Sequence, residues 1–252
     1  PSKIRPGVPA HVEAMDLVIF RENTEGFYAV RNMHDGLGEF MPTEDMAIAV
    51  RRITRRCSER IARQACELAV QRRGLLSIVH KSNVLTMSDG FFVDICKEVA
   101  SDYKLEVDEY FVDAMTALLV RKPDYFDVIV TTNLFGDIIS DLAAELSGGL
   151  GLGPSVNAGD ENAMAQAAHG AAPDIAGQNI ANPTAMILSV GMLLDTLGIR
   201  HNRPELLEAS KRIDKAVDAQ LKEKGGRTPD LGGPLGTDAF GAGVAKKVKD
   251  GA

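Results

Sequence analysis

Short β-branched runs alternate along this chain with longer stretches whose apolar residues recur every three or four positions. Asp16-Leu-Val-Ile-Phe20, Leu75-Leu-Ser-Ile-Val79 and Asp127-Val-Ile-Val-Thr131 have the composition of buried strands, and Leu105 to Val112 alternates as a half-exposed one. Between the first two, Met46, Val50, Ile53, Cys57, Ile61, Ala65 and Leu68 keep helical spacing. They predict one long helix capped by Thr43, with Glu44 and Asp45 in its first turn and Gly74 ending it. A helix from about Asp89 to Tyr103 places Phe92, Ile95, Cys96 and Val99 on one face. A shorter one, Ala114 to Arg121, is closed by Pro123. The strand at 127 to 131 leads through a tight turn into a helix from Ile138 onward, and residues 31 to 42 lack any period and predict a loop or protruding hairpin. Past Leu146 the run Gly148-Gly-Leu-Gly-Leu-Gly153-Pro154 marks a domain boundary, giving domains 1–147 and 148–252. Asn182-Pro183 then opens a helix reaching about Leu197, followed by a charged helix from Pro204 to Lys224 and a terminal helical stretch. Strands alternating with helices predict a layered α/β fold.

Composition narrows the function. At 252 residues and 45% hydrophobic the chain can bury a substantial core. A net charge of -7 argues against general nucleic-acid binding. The arginines at 51, 52, 55, 56, 60 and 63 accordingly suit a solvated helix face. No apolar run has the length of a membrane span, and no signal-like segment opens the chain, so a cytoplasmic protein is expected. The 3 cysteines, Cys57, Cys66 and Cys96, lack metal-ligand spacing and suit reduced thiols, and the 5 histidines form no zinc motif.

Candidate chemistry gathers where strands end. Arg21 follows one strand, Lys81 another, Asp113 a third and Asp137 the fourth after a turn. In α/β proteins the carboxyl ends of strands face the ligand crevice. Asp137 and Asp141 stand four apart, so both carboxylates project from one helix face, where a divalent cation with oxygen ligands, Mg²⁺ or Mn²⁺, would relieve their repulsion. The same spacing also suits a helix-start acid beside a solvated neighbour. Lys81 as a solvated strand end, Asp113 as a helix cap, Arg21 as a surface ion-pair partner and Tyr28 as a rim aromatic are the corresponding alternatives. As a set, a cation site with two basic groups and a tyrosine suits a small polyanionic substrate chelated to metal.

Six motifs carry a more specific signal: R-E-N-T-E-G-F-Y (Arg21 to Tyr28), H-K-S-N-V-L (His80 to Leu85), V-D-A-M (Val112 to Met115), N-L-F-G-D-I-I-S-D (Asn133 to Asp141), H-G-A-A-P-D-I-A-G (His169 to Gly177) and A-N-P-T-A (Ala181 to Ala185). Together and in this order they resemble the metal-dependent decarboxylating 3-hydroxyacid dehydrogenases, the isocitrate, 3-isopropylmalate, homoisocitrate and tartrate/D-malate dehydrogenase family. The resemblance implies a two-domain α/β fold of that family, with the N-terminal part of the larger domain outside this chain. It implies NAD- and Mg²⁺- or Mn²⁺-dependent oxidative decarboxylation of a (2R)-malate-type hydroxy di- or tricarboxylate. Tyr28 and Lys81 match the catalytic acid and base, and Arg21 a carboxylate clamp, all three touching substrate. Asp113, Asp137 and Asp141 match the metal-binding positions. His169, Gly170, Asp174, Ile175, Asn182 and, more weakly, Asp230 match cofactor-contacting positions. A carboxylate at 174 favours NAD over NADP, because it accepts from a ribose hydroxyl and repels a phosphate. Lys81 and Asp113 come from the partner subunit in the family, which implies a homodimer with a shared active site, clasped in part by residues 31 to 42.

Two departures stand out. The family's N-terminal stretch, which includes two further substrate-binding arginines, is missing from this chain, and Pro1 aligns just after the last of those arginines. Met164-Ala-Gln-Ala-Ala168 replaces a segment that in the family usually carries Phe-Glu-Pro, so an acidic group near the cofactor is lost. R-E-N-T-E-G favours the isocitrate, homoisocitrate or D-malate/tartrate branches, since the 3-isopropylmalate branch usually has R-E-L-T-G-G. A non-catalytic truncated or regulatory paralogue that keeps the fold is the competing expectation.

Overall fold

The computed structural model describes residues 1–28 and 38–251. Its chain divides into two compact units, one of Ser2 with Ala14–Ala143 and one of Pro1, Lys3–Glu13 and Ala144–Ala252.

The first unit is built on a five-stranded sheet. Its strands are β1 (Ser2–Lys3), β2 (Asp16–Arg21), β5 (Leu75–His80), β6 (Glu106–Phe111) and β7 (Val128–Thr131), in the order β1-β2-β7-β5-β6. The pairs β2/β7, β7/β5 and β5/β6 are parallel. β5 and β7 are buried at every position, as central parallel strands covered on both faces must be. The helices α1 (Arg55–Gln71) and α2 (Ser88–Ala100) supply Ala62, Ala65, Cys66, Ala69, Phe92, Ile95 and Cys96, which close over Leu76, Ile78, Val128 and Val130. The short α3 (Val112–Arg121) and the longer α4 (Asn133–Leu146) complete the unit's main elements. Cys57, Cys66 and Cys96 are all free thiols, and burial pushes Cys66 up to about 11.

The long helix expected from Thr43 is not formed as a single element. Strands β3 (Glu39–Thr43) and β4 (Met46–Ala49) pair as an antiparallel hairpin instead, and α1 begins only at Arg55. The physical reason lies in two competing signals. Met46-Ala-Ile-Ala also satisfies a two-residue alternation, and Thr54 is the working cap, its Oγ1 accepting the Cys57 N–H at 3.4 Å. Thr54 is itself fixed by Glu25, which accepts from its N–H and its hydroxyl, both at 2.8 Å. The expected loop at 31 to 42 falls partly outside the described residues, and its last positions belong to β3.

The second unit contains the antiparallel hairpin β8 (Pro154–Ala158) and β9 (Ala163–Ala167), followed by helices α5 (Thr184–Arg200), α6 (Pro204–Lys222) and α7 (Thr237–Asp250). Its core joins Leu188 of α5, Ala216, Val217 and Leu221 of α6, and Phe240 and Val244 of α7 to Val8 near the N-terminus. Buried Arg5 ties that N-terminal segment to α6 through Asp214 at 2.6 Å and Asp218 at 2.8 Å. No helix among the described residues is long and apolar enough to cross a membrane.

Candidate active site

Parallel pairing fixes where the charged strand ends fall. Arg21 is in register with Thr131, Thr131 with Val79, and His80 with Phe111. The carboxyl ends of four adjacent strands are therefore level, and Arg21, Lys81, Asp113 and the start of α4 emerge along one edge of the sheet.

Arg21 organises the first group. Its Nη1 donates to Asp137 Oδ1 at 2.5 Å, while Nε and Nη2 donate to Asn133 Oδ1 at 3.0 and 2.7 Å. The Tyr28 hydroxyl donates to Asp137 Oδ2 at 3.4 Å, and its ring lies 5.5 Å from the Arg21 guanidinium carbon. Gly136 makes this packing possible, because a Cβ there would meet Arg21 Cγ at 2.5 Å and Cβ at 2.8 Å. One turn along α4, the Asp141 carboxyl is pushed above its ordinary range by burial first and by Asp137 second, with Arg21 opposing.

Lys81 and Asp113 form the second group, with Lys81 Nζ 2.6 Å from Asp113 Oδ1. That hydrogen bond is the largest influence holding the exposed Asp113 carboxyl below its usual range. Two inter-strand steps, roughly 10 Å at about 4.8 Å each, separate the end of β2 from the end of β5. Among the described residues no three His, Cys, Asp or Glu side chains come together to hold a metal, so Asp113 does not join Asp137 and Asp141 within one chain.

The two glutamates of R-E-N-T-E-G are framework. Glu22 accepts from the Thr24 and Glu25 backbone N–H groups, both at 2.9 Å, and pairs with Arg60 at 3.0 Å, while Glu25 holds Thr54. The expected solvated face of arginines is corrected at three positions, one of them Arg52, half-buried against the buried Glu25. Arg60 is partly buried on Glu22, and Arg51 is buried in an ion pair with Asp89. Their sequence spacing matched a helix face, but Arg51 precedes α1, where the chain runs back past Gly26. The sequence alone assigns no individual role to Asn133, Gly136 or Asp89, and places Arg51 only among the solvated arginines. For the first two, membership of the N-L-F-G-D motif was the available signal.

The remaining predicted residues lie in the second unit. Asn182 Nδ2 donates to Asp230 Oδ2 at 2.9 Å, and Asn182 Oδ1 accepts the Thr184 N–H at 3.0 Å, so the residue satisfies the first N–H of α5 and orients Asp230 together. Thr228 Oγ1 donates to the other Asp230 oxygen at 2.5 Å. His169, Gly170 and Asp174 are exposed on the preceding loop and Ile175 is half-buried. His169 Nδ1 donates to Gly170 O at 2.9 Å. Asn179 fastens the far end of this loop to α7. At φ 55°, its carbonyl accepts the Thr237 N–H and its Oδ1 the Asp238 N–H, each at 3.0 Å. The altered segment before His169 forms β9, and its Gln166 carbonyl accepts from Ser155 at 2.9 Å and Ser189 at 2.7 Å.

Comparison with known proteins places this arrangement. A family model described as isocitrate/isopropylmalate dehydrogenase matches residues 2–244. An isocitrate/homoisocitrate dehydrogenase of Thermus thermophilus is 51% identical over 251 residues, covering 99% of this chain and 70% of that protein. A 3-isopropylmalate dehydrogenase of Archaeoglobus fulgidus is 47% identical, covering 97% of this chain and 71% of that protein. The crystal structure of isocitrate dehydrogenase from Methylococcus capsulatus superposes with a TM-score of 0.88 at 40% identity, covering 99% of this chain and 72% of that one.

Proposed function

The chain belongs to the isocitrate/isopropylmalate dehydrogenase family, and from that premise we propose that it oxidatively decarboxylates a (2R)-malate-type hydroxy acid with NAD and a divalent cation. The observation that carries the reading is that one sheet edge presents two half-sites, Arg21 with Tyr28, Asp137 and Asp141, and the Lys81–Asp113 pair.

Each side chain has a defined task in that reaction. Arg21 presents a planar fork to a substrate carboxylate, held in orientation by Asn133 and Asp137. Lys81 Nζ takes the proton of the substrate hydroxyl as its carbon is oxidised, with Asp113 steering the amine. After CO₂ leaves, the Tyr28 hydroxyl delivers a proton to the enol carbon, giving the 2-oxo acid. The donor set suits a cation, because Asp141 is held above its ordinary range partly by Asp137, and a positive charge between them reverses that penalty. Mg²⁺ or Mn²⁺ held by Asp137, Asp141 and the Asp113 of a second copy would supply Lewis-acid polarisation of the hydroxyl. NAD, contacted through His169, Gly170, Asp174, Ile175, Asn182 and Asp230, would accept the hydride. Asp174 is an exposed carboxylate suited to a ribose hydroxyl and hostile to a 2′-phosphate, which favours NAD over NADP.

The separation of the two groups within one chain supports a homodimer in which each site draws Lys81 and Asp113 from the partner. Residues 14–143 then serve as the substrate and metal domain and residues 144–252 as part of the cofactor domain. A cytoplasmic setting belongs to the same proposal, supported by the three free thiols. Isocitrate and homoisocitrate head the substrate panel, on R-E-N-T-E-G and on the named activity of the Thermus relative. The test is NADH formation from isocitrate, homoisocitrate, 3-isopropylmalate, D-malate and tartrate with Mg²⁺ or Mn²⁺. Turnover of one acid that stops on chelation is expected, and no NADH from any of them overturns the proposal.

A further inference from the structure

A buried ion pair stands between the two charged groups. Arg51 has a side chain only 7% exposed and Asp89 is wholly buried. One Asp89 oxygen takes Arg51 Nη1, and the other accepts the backbone N–H of Lys81 at 2.6 Å. Arg51 Nη1 also donates to Ser88 Oγ at 2.8 Å, and Nη2 to Thr132 Oγ1 at 3.0 Å. The guanidinium carbon lies 5.6 Å from the ring centroids of both Phe27 and Phe135. A buried ion pair is weak evidence of a stability role, because desolvation offsets its attraction. The partners of this one are informative: the main chain of Lys81 on one side, and on the other the residue immediately before Asn133, which orients Arg21.

We propose that Arg51 and Asp89 are positioning residues that hold Lys81 and the Asn133–Arg21 group in fixed register across the strand ends. The inference rests on the dehydrogenase reading for its catalytic consequence, but the positional claim is independent of it. Asp89 fixes the backbone from which the Lys81 amine reaches out, and Arg51 locks Asp89 to the start of α4. In the proposed dimer these two groups serve different copies of the active site, so one pair sets the geometry of both.

The decisive variant is the double substitution Arg51→Met with Asp89→Leu, which replaces both buried charges by apolar groups and is expected to fold near the wild-type melting temperature. Two readouts are taken on the full chain. Amide hydrogen exchange at Lys81 is expected to quicken by about tenfold or more as its acceptor is lost. Turnover is expected to fall by about ten- to a hundredfold, the effect of displacing a reacting group by about 1 Å. A folded double variant with wild-type kcat, or with unchanged Lys81 exchange, overturns the proposal, since a purely structural pair returns activity once stability returns. Should that variant not fold, Asp89→Asn decides through turnover: it keeps an oxygen acceptor for the Lys81 N–H but removes the charge that holds Arg51, so a fall in kcat is expected and an unchanged kcat overturns the proposal. Absence of NADH from the wild type strikes the dehydrogenase reading alone, and the exchange measurement still decides whether the pair holds Lys81.

Discussion

Replacing Gly136 by alanine isolates the contact on which the Arg21 group depends. The added Cβ would stand 2.5 Å from Arg21 Cγ and 2.8 Å from its Cβ, so the stem of Arg21 has to retreat by about 1 Å to reach an ordinary carbon–carbon contact of about 3.5 Å. Stem atoms next to the main chain have little freedom, and the guanidinium is carried off Asp137 and Asn133 with them. Two opposed terms set stability. Alanine in a helix gains about 1 kcal/mol over glycine, and overpacking costs about 1–3 kcal/mol. The net expectation is a loss of about 0–2 kcal/mol, too little to unfold a domain of this size. Under the proposed role of Arg21 as a carboxylate clamp, activity is far more sensitive, since displacement of such a group by about 1 Å is expected to lower kcat/KM by about a hundredfold. The assay is steady-state kinetics on the best acid of the panel, paired with thermal denaturation of the same sample. A Gly136→Ala protein with wild-type kcat/KM refutes the reasoning, because either the helix absorbs the methyl without moving Arg21 or Arg21 does not hold substrate.

Two further expectations concern the scaffold. Asp127 is fully buried, with Arg72 Nε at 2.7 Å and the Arg73 N–H at 2.8 Å, so Asp127→Ala strands both donors and is expected to cost about 3–5 kcal/mol in a urea melt; a loss under about 1 kcal/mol contradicts this account. His80 is buried, and burial, the largest influence, pushes its ring below the ordinary histidine value, against the opposing pull of Glu109 and Asp89. The folded state therefore binds fewer protons than the unfolded chain, so the contribution is complete above the unfolded value of about 6.5 and is lost as pH falls towards and through the lowered one. Urea midpoints of His80→Gln should fall less than wild type between about pH 7 and pH 5, and parallel curves for the two proteins would remove His80 from the explanation.

How much of this is legible in the sequence depends on the range of the signal. β5, β7 and α2 announced themselves because burial of a parallel strand or an amphipathic face writes a local period into the chain, and their observed bounds lie close to those expected. The stretch at 43 to 54 misled because Met46, Val50, Ile53 and Cys57 satisfy helical spacing across a hairpin and a connection. The arbiter is Thr54, fixed by Glu25 from a distant segment. Asp137 and Asp141 were visible as a pair on one helix face, whereas Asn133 beneath Arg21 and Thr132 beneath Arg51 were not, since each acts through a partner more than 80 positions away. Arg51 was hidden by its company: in a run of arginines nothing local distinguishes the one that turns inward to Asp89.

The fastening of Asn179 to α7 has a consequence for affinity. By accepting the Thr237 and Asp238 N–H groups, Asn179 uses two of the donors that a helix N-terminus otherwise offers to an anion, so the first two donors of α7 are already committed within the chain. The Ala181 carbonyl adds a third tie, accepting the Thr237 hydroxyl at 2.5 Å. Ordering the backbone of one residue costs about 1–2 kcal/mol, and for the anchored end of this loop that cost is met when the chain folds. Under the proposed reading, a dinucleotide arriving at residues 169–182 would meet a segment whose far end has already lost its freedom, and more of the contact energy would remain as binding.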